Sequence, residues 1–288
     1  MRSALLVKFA LMALLCLLTT GFSFSDLTPE RLSSITASVM SIGKAARPLS
    51  DDEEYYVGRA VAANLVGTYP LYRNSRLTDY LNQIGQTIVL HTEKPATFGG
   101  YHFAVLDSGE INAFACPGGI ILITRGMVSS MQSEEELAAV LAHEIAHIIH
   151  RDGISAIKSS RWSEALLVIG SSAAKEFGPK DTAKLVSLFE GSIDDVVKTL
   201  VVNGYGRDQE KAADAAALGY LAAAGYDPRG LTGYLKRLEQ AGQGSKGGML
   251  TTHPGTDERL ESVAQADVPT VDTASVPRRA KRFADLTR

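Results

Sequence analysis

Residues 137–153 read LAAVLAHEIAHIIHRDG and contain His143-Glu144-x-x-His147. Two histidines four apart on a helix share a face, with Cβ atoms about 5–6 Å apart. Both imidazoles can then reach one Zn²⁺ at roughly 2.0–2.1 Å from each nitrogen. Glu144, next to the first histidine, can lean over a water held there. The pentapeptide arises by composition in on the order of one chain in a hundred of this length, so its setting has to carry part of the argument. Ser133 followed by Glu136 reads as a capping box, with Glu134 and Glu135 in the same acidic first turn. No Gly or Pro interrupts Leu137 to Ile149, and Leu137, Val140, Leu141, Ile145 and Ile148 can form an apolar face. The helix is expected to be buried, and buried polar groups need partners. A pair of hydrogen-bonded core histidines is the plainer alternative. His150 lies about 10 Å along the axis from His143 and cannot share an ion with it; a place near the helix end suits it.

A catalytic zinc has three protein ligands and one open position. The cysteines offer little, since Cys16 lies in the leader and Cys116 stands alone. Residues 204–228, GYGRDQEKAADAAALGYLAAAGYDP, place Glu210 and Asp214 four apart on a second, Ala-rich helix. Glu210 can supply the third ligand. Asp214 can hold the outer nitrogen of a ligand histidine and set its tautomer. An ordinary solvated helix face is the competing reading of this pair.

These segments together resemble a known family. HEIAH, then RDQEKAAD, then AAGYDP is similar to the zinc endopeptidases of HtpX, BepA and CAAX prenyl endopeptidase type, peptidase family M48. GEINAFACPGGIILITRGMV (109–128) resembles that family's NAFALPGG segment, and TTHPGTDERL (251–260) its THP segment. The likeness covers roughly residues 51–262. Cys116 stands where an apolar residue is more usual, and a buried cysteine behaves as a small hydrophobe. The resemblance implies an α+β, mainly helical fold of gluzincin type, with a small β-sheet beside the active-site helix. It implies His143, His147 and Glu210 as ligands of one Zn²⁺ per chain, Glu144 as general base and Asp214 behind a ligand. His253 matches a histidine that in some members approaches the metal. It would stabilise an oxyanion or fill the open zinc position and gate the enzyme; a plain loop histidine before Pro254 is the alternative. Arg259 would orient a nearby carboxylate.

Zinc would polarise the scissile carbonyl and lower the pKa of bound water towards about 7. Glu144 would move the proton from that water to the leaving amine. No GxSxG elbow is present and Cys116 has no motif partner, so a covalent route has no support. Residues 101–107 and 119–124 have the pattern of strands, with Asn112, Ala113 and Phe114 between them. Family likeness makes that region a sheet edge where an extended peptide could add. Core packing of the same segment is the alternative.

The start of the chain, MRSALLVKFALMALLCLLTTGFSFSD, has early positive charge, a short apolar run and small residues before Asp26. It reads as a secretory signal peptide over residues 1–25, cleaved near Ser25, with an uncleaved anchor as the alternative. Leu15 before Cys16 argues against lipidation. Cleavage would leave one cysteine and no intrachain disulfide. The expected place is the bacterial periplasm.

The domain plan is an N-terminal arm over 26–50, a zinc metallopeptidase domain over 51–265 and a flexible basic tail over 266–288. Residues 51–69 and 75–90 look like amphipathic helices, punctuated by Pro70. Residues 154–203 are helical in tendency and serve as a lid or as plain packing. GQGSKGG (242–248) is expected to be a flexible loop that lets the His253 segment move. Arg278, Arg279, Lys281 and Arg282 would be solvated or touch an anionic membrane surface. No repeat is visible, and no tetratricopeptide array is expected after the domain. A net charge of −3, with no basic patch carrying interleaved aromatics, gives nucleic acid no support.

The expected activity is hydrolysis of unfolded or misassembled envelope proteins, with envelope assembly machinery as partner. That biological role is an analogy. A chaperone or assembly factor with a latent protease site is the rival reading. A purely structural zinc site is disfavoured, because three ligands and an adjacent glutamate leave a position open.

Overall fold

The computed structural model describes residues 48–157, 191, 193–242, 248–268 and 270–287. The leader, most of the arm, the 165–169 run with Trp162 and the 243–247 part of the glycine-rich loop lie outside the described residues.

Helix α1 (Asp51–Thr68) starts where Glu53 accepts a hydrogen bond from the Ser50 amide at 2.9 Å. Four acidic residues in its first turn suit the positive helix end. It stops at an extended Tyr69, as the residue before a proline prefers. Helix α2 (Ser75–Val89) is capped by Asn74, which accepts from the Leu77 amide. Leu77, Leu81, Ile84 and Ile88 recur at three- and four-residue spacing and are buried.

Three strands follow: β1 (His102–Leu106), β2 (Ala113–Cys116) and β3 (Ile120–Thr124), in sheet order β1-β3-β2. β3 runs parallel to β1 and antiparallel to β2. The turn Pro117–Gly119 joins β2 to β3. Gly118 there has φ 76°, and a Cβ on it would lie 2.5 Å from the Tyr55 backbone, so only glycine lets α1 approach. Side chains alternate across the sheet. Phe103, Val105, Ala113, Ala115, Ile121 and Ile123 join the core with α2 and the helices beyond. Phe114, Cys116 and Leu122 face the other way, into a second core with α1 and Val196.

Short helix α3 (Arg125–Ser130) leads to α4 (Glu134–His150), which carries HEIAH. Ser133 caps α4 by accepting from the Glu136 amide, as the sequence predicts. The reciprocal half of the box is rerouted: Glu136 accepts from the Gln132 amide at 2.8 Å and pairs with Arg237. Burial of α4 is continuous from Glu134 to Ile148. It is enclosed by β2, α2, α6 (Arg207–Ala223) and α7 (Arg229–Gly242), after a single turn α5 (Asp152–Ser155) and a π-helical turn Thr199–Asn203. Helices α8 (Met249–Thr252) and α9 (Thr256–Gln265) bring the 251–260 segment back over the centre. The architecture is mainly helical α+β, of gluzincin type, with the small sheet beside α4. No helix among the described residues is long and apolar enough to cross a membrane.

The expectation of a flexible basic tail over 266–288 is corrected. Residues Val276–Thr287 form helix α10, and Phe283 is buried beneath it. Arg282 Nε donates to Glu134 at 2.8 Å, and Arg279 Nε to Glu135 at 2.6 Å. Arg279 also lies 4.9 Å over the Tyr226 ring. Arg279, Arg282, Phe283 and Leu286 share one helical face. The basic residues that look solvated in the sequence answer buried acids 144 and 148 positions earlier. Arg278 and Lys281 remain exposed.

Candidate metal centre

The helical repeat places His143 and His147 side by side, their Nε2 atoms 3.1 Å apart. Helix α6 enters against α4 and directs Glu210 between them, with carboxylate oxygens 3.4 Å from His143 Nε2 and 3.5 Å from His147 Nε2. The His253 Nδ1 atom completes the group, 3.2 Å from His143 Nε2 and 3.0 Å from Glu210 Oε1. Donors spaced tetrahedrally at roughly 2.0–2.1 Å from one ion stand about 3.3–3.4 Å apart. His143, His147, Glu210 and His253 therefore fit one small cation, and all are buried.

Charge fits as well. Glu144, Asp152, Glu210 and Asp214 are buried here, and Arg259 is the buried guanidinium among them. Burial and the Arg259 cation push the His143 imidazole down, but the Asp214 and Glu210 carboxylates outweigh them and lift it to about 9. Burial would raise Glu210, yet the surrounding histidines hold its carboxyl far below the usual range. Burial keeps the His253 imidazole below its ordinary value, which favours a neutral ring with a lone pair to offer. This cage stabilises positive charge at its centre.

The outer nitrogens face carboxylates too. His143 Nδ1 lies 2.9 Å from Asp214 Oδ1, where the sequence expects that carboxylate. Asp214 is clamped in turn by Arg259, through Nε at 2.7 Å and Nη2 at 2.8 Å. Arg259 Nη1 also reaches Glu210, at 2.8 Å. His147 Nδ1 meets Asp152 Oδ2 at 2.7 Å, a residue that sequence reasoning missed. Tyr205 was missed as well: its ring stacks on His147 with centroids 4.1 Å apart. His150 sits part-exposed at the helix end, as its spacing requires.

Both Glu144 oxygens are buried without a hydrogen-bond partner among the described residues. The carboxylate is 3.7 Å from His253 Nε2. An acid group held this way is available to a reactant rather than committed to the fold.

Asn112, Ala113 and Phe114 divide their tasks. Phe114 packs in the second core. Asn112 Oδ1 accepts from the Ala113 amide at 2.9 Å and from Thr252 Oγ1 at 3.3 Å. β2 is an outer strand of the sheet. The Thr124 amide donates to Asn112 O, so by antiparallel alternation Ala113 and Ala115 turn main-chain groups away from β3.

A buried helix presenting HExxH, completed by a carboxylate from a second helix, defines a metallopeptidase. The chain belongs to peptidase family M48, whose profile matches residues 75–267. It is 28% identical over 218 residues to the β-barrel assembly-enhancing protease of Escherichia coli K12, covering 75% of this chain and 44% of that protein. To the metalloprotease LoiP of the same organism it is 25% identical, covering 65% of this chain and 68% of that one. The mitochondrial metalloendopeptidase OMA1 of Arabidopsis thaliana is 29% identical over 57% of this chain and 31% of its own length. The chain spans less than half the length of the β-barrel assembly-enhancing proteases it matches.

Proposed function

We propose that this metallopeptidase is a zinc endopeptidase of the bacterial envelope, acting in the periplasm on unfolded or misassembled proteins alongside the assembly machinery. The observation that carries the chemistry is the buried Glu144 carboxylate, free of hydrogen bonds among the described residues, beside four donors that match one cation. His143, His147 and Glu210 would hold the zinc. When bound, zinc supplies Lewis acidity for the scissile carbonyl and lowers the pKa of water towards about 7. Glu144 accepts the proton of the attacking water and returns it to the leaving amine. The envelope setting is supported by the leader-like start of the sequence and by the likeness to a β-barrel assembly-enhancing protease.

The position of His253 favours a resting, self-gated state, the arrangement a latent enzyme or assembly factor would have. With Nδ1 at the fourth corner, hydrolysis requires the 249–253 segment to withdraw. That segment is buried, with Met249 in the main core and Thr252 Oγ1 donating to Asn112 Oδ1, so withdrawal must break several long-range contacts. Met249 N donates to Ile111 O at 2.9 Å, and Tyr205 N donates to Thr252 O at 3.0 Å. Gly204, at φ 73°, lets that second contact form, since a Cβ there would stand 2.6 Å from Thr251 O. The test is zinc content and casein cleavage for the full chain and for His253→Ala. If the closed form is 90–99% populated, His253→Ala raises cleavage about 10–100-fold with one zinc retained. A loss of cleavage would instead make His253 an oxyanion donor, and no zinc in the wild type would remove the ligand assignment.

Substrate would add along β2 as an extended strand, reading main chain more than side chains, after the buried strand is uncovered and Asn112 Oδ1 gives up the Ala113 amide. Ala113→Pro should then lower peptide cleavage well below the wild-type rate while zinc content stays near one per chain. Equal loss of both quantities would assign the segment to packing alone.

A further inference from the structure

His147 depends on a connection that nothing in the HExxH pattern announces. After His150 the chain enters the left-handed region at Arg151, φ 60° and ψ 33°, which is the one non-glycine residue with positive φ among those described. Non-glycine residues avoid that region unless the surroundings hold them there. Arg151 is held: its Nη2 reaches Glu54 Oε2 at 2.7 Å and donates to Leu49 O at 3.0 Å. The reversal folds the next residue back under the helix. Asp152 Oδ2 then meets His147 Nδ1 at 2.7 Å, from only five positions along the chain. The other oxygen, Asp152 Oδ1, accepts from Gln209 Nε2 at 2.8 Å. Gln209 Oε1 in turn accepts from the Gly206 amide at 2.9 Å and caps α6. Glu210 is the next residue on that helix.

We infer that Asp152 and Gln209 are positioning residues that tie the His147 ring to the first turn of the helix carrying Glu210. The inference rests on the reading of His143, His147 and Glu210 as metal donors. Asp152 fixes the His147 tautomer so that Nε2 presents its lone pair inward, and makes the ring a stronger base. Gln209 fixes Asp152, because its amide nitrogen can only donate and its oxygen is occupied by the cap. Two donors on different helices thereby move as one unit.

The test measures zinc affinity of the full chain by competition with a chromophoric chelator, alongside thermal unfolding of the zinc-free protein. Asp152→Ala should weaken zinc binding about 10–100-fold, and Asp152→Asn less, since an amide oxygen still accepts from Nδ1. Gln209→Glu keeps the cap acceptor but removes the donor and sets a second carboxylate against Asp152. It should weaken zinc binding while the zinc-free protein stays capped, an effect that a cap alone would not produce. Because Gln209 acts through Asp152, the double variant Asp152→Ala/Gln209→Glu should bind no worse than Asp152→Ala. If Asp152→Ala fails to fold, the pair Asp152→Asn and Gln209→Glu runs the same cycle. Wild-type affinity in Gln209→Glu, or additive losses in the cycle, overturns the relay and leaves the ligand assignment standing. A wild-type chain that binds no zinc overturns the ligand assignment itself.

Discussion

Glu144→Gln should abolish cleavage while leaving one zinc per chain. General acid–base groups contribute typically 10²–10⁴-fold, and here one carboxylate serves both proton transfers, so the loss should lie at or beyond the upper end. Zinc should remain because Glu144 is not among the clustered donors. The fold should remain because glutamine has the same shape, and neither Glu144 oxygen has a hydrogen-bond partner in the described residues to lose. With no hydrogen bond to lose, the melting temperature of the variant should stay within a few degrees of wild type. The check is casein hydrolysis, metal analysis and thermal unfolding on one preparation. Cleavage within a few-fold of wild type would remove Glu144 from the reaction. Cleavage lost together with zinc would make it a structural residue.

Arg259→Met should damage the same centre through stability. Arg259 is 1% exposed and bridges the Asp214 and Glu210 carboxylates. Breaking a buried ion pair by removing one partner costs about 3–5 kcal/mol, because the other charge stays buried and uncompensated. At roughly 2–4 °C per kcal/mol for a chain of this size, the melting temperature should fall by about 6–20 °C. Lysine should not rescue it, since the contact to Asp214 is a two-pronged one that an ammonium cannot copy. The pH dependence carries a sign. Burial raises Asp214, but the Arg259 and His143 contacts hold it at about 2, below the ordinary 3.8. Its stabilisation is therefore complete above about pH 4 and is lost as pH falls towards 2. Without Arg259, burial dominates and Asp214 protonates more readily. The deficit of the variant should then shrink between pH 7 and pH 4. Unfolding midpoints of the zinc-free protein across that range are the measurement. A deficit that is constant with pH would show that the guanidinium acts by packing and not through its charge.

The active-site helix was legible because its information is local. Helical periodicity and a capping serine suffice to set His143, Glu144 and His147 on a buried face, and the same spacing pairs Glu210 with Asp214. The strands over 101–107 and 119–124 were legible from their apolar runs. What escaped depends on the path of the chain between elements. Asp152 reaches His147 only because Arg151 takes a left-handed conformation, and an arginine does not advertise that as a glycine would. Tyr205 stacks on His147 because α8 and the π-helical turn meet there, a tertiary accident as far as composition is concerned. The last helix was misread for a related reason. A short segment with four basic residues looks solvated unless its acidic partners are known, and those lie at the start of α4.

That docking has a consequence in time. Glu134 is fully buried, and its charge is answered by Arg282 from the opposite end of the described chain. A polypeptide emerging in order of synthesis makes the HEIAH segment long before it makes Arg279 and Arg282. Until they arrive, Glu134 and Glu135 in the first turn of the active-site helix lack the guanidinium partners they have in the folded chain, while Glu136 already has Arg237. The first turn of the helix that carries HEIAH is therefore completed only when the last helix docks. The active-site helix thus owes its finished first turn to the helix made last.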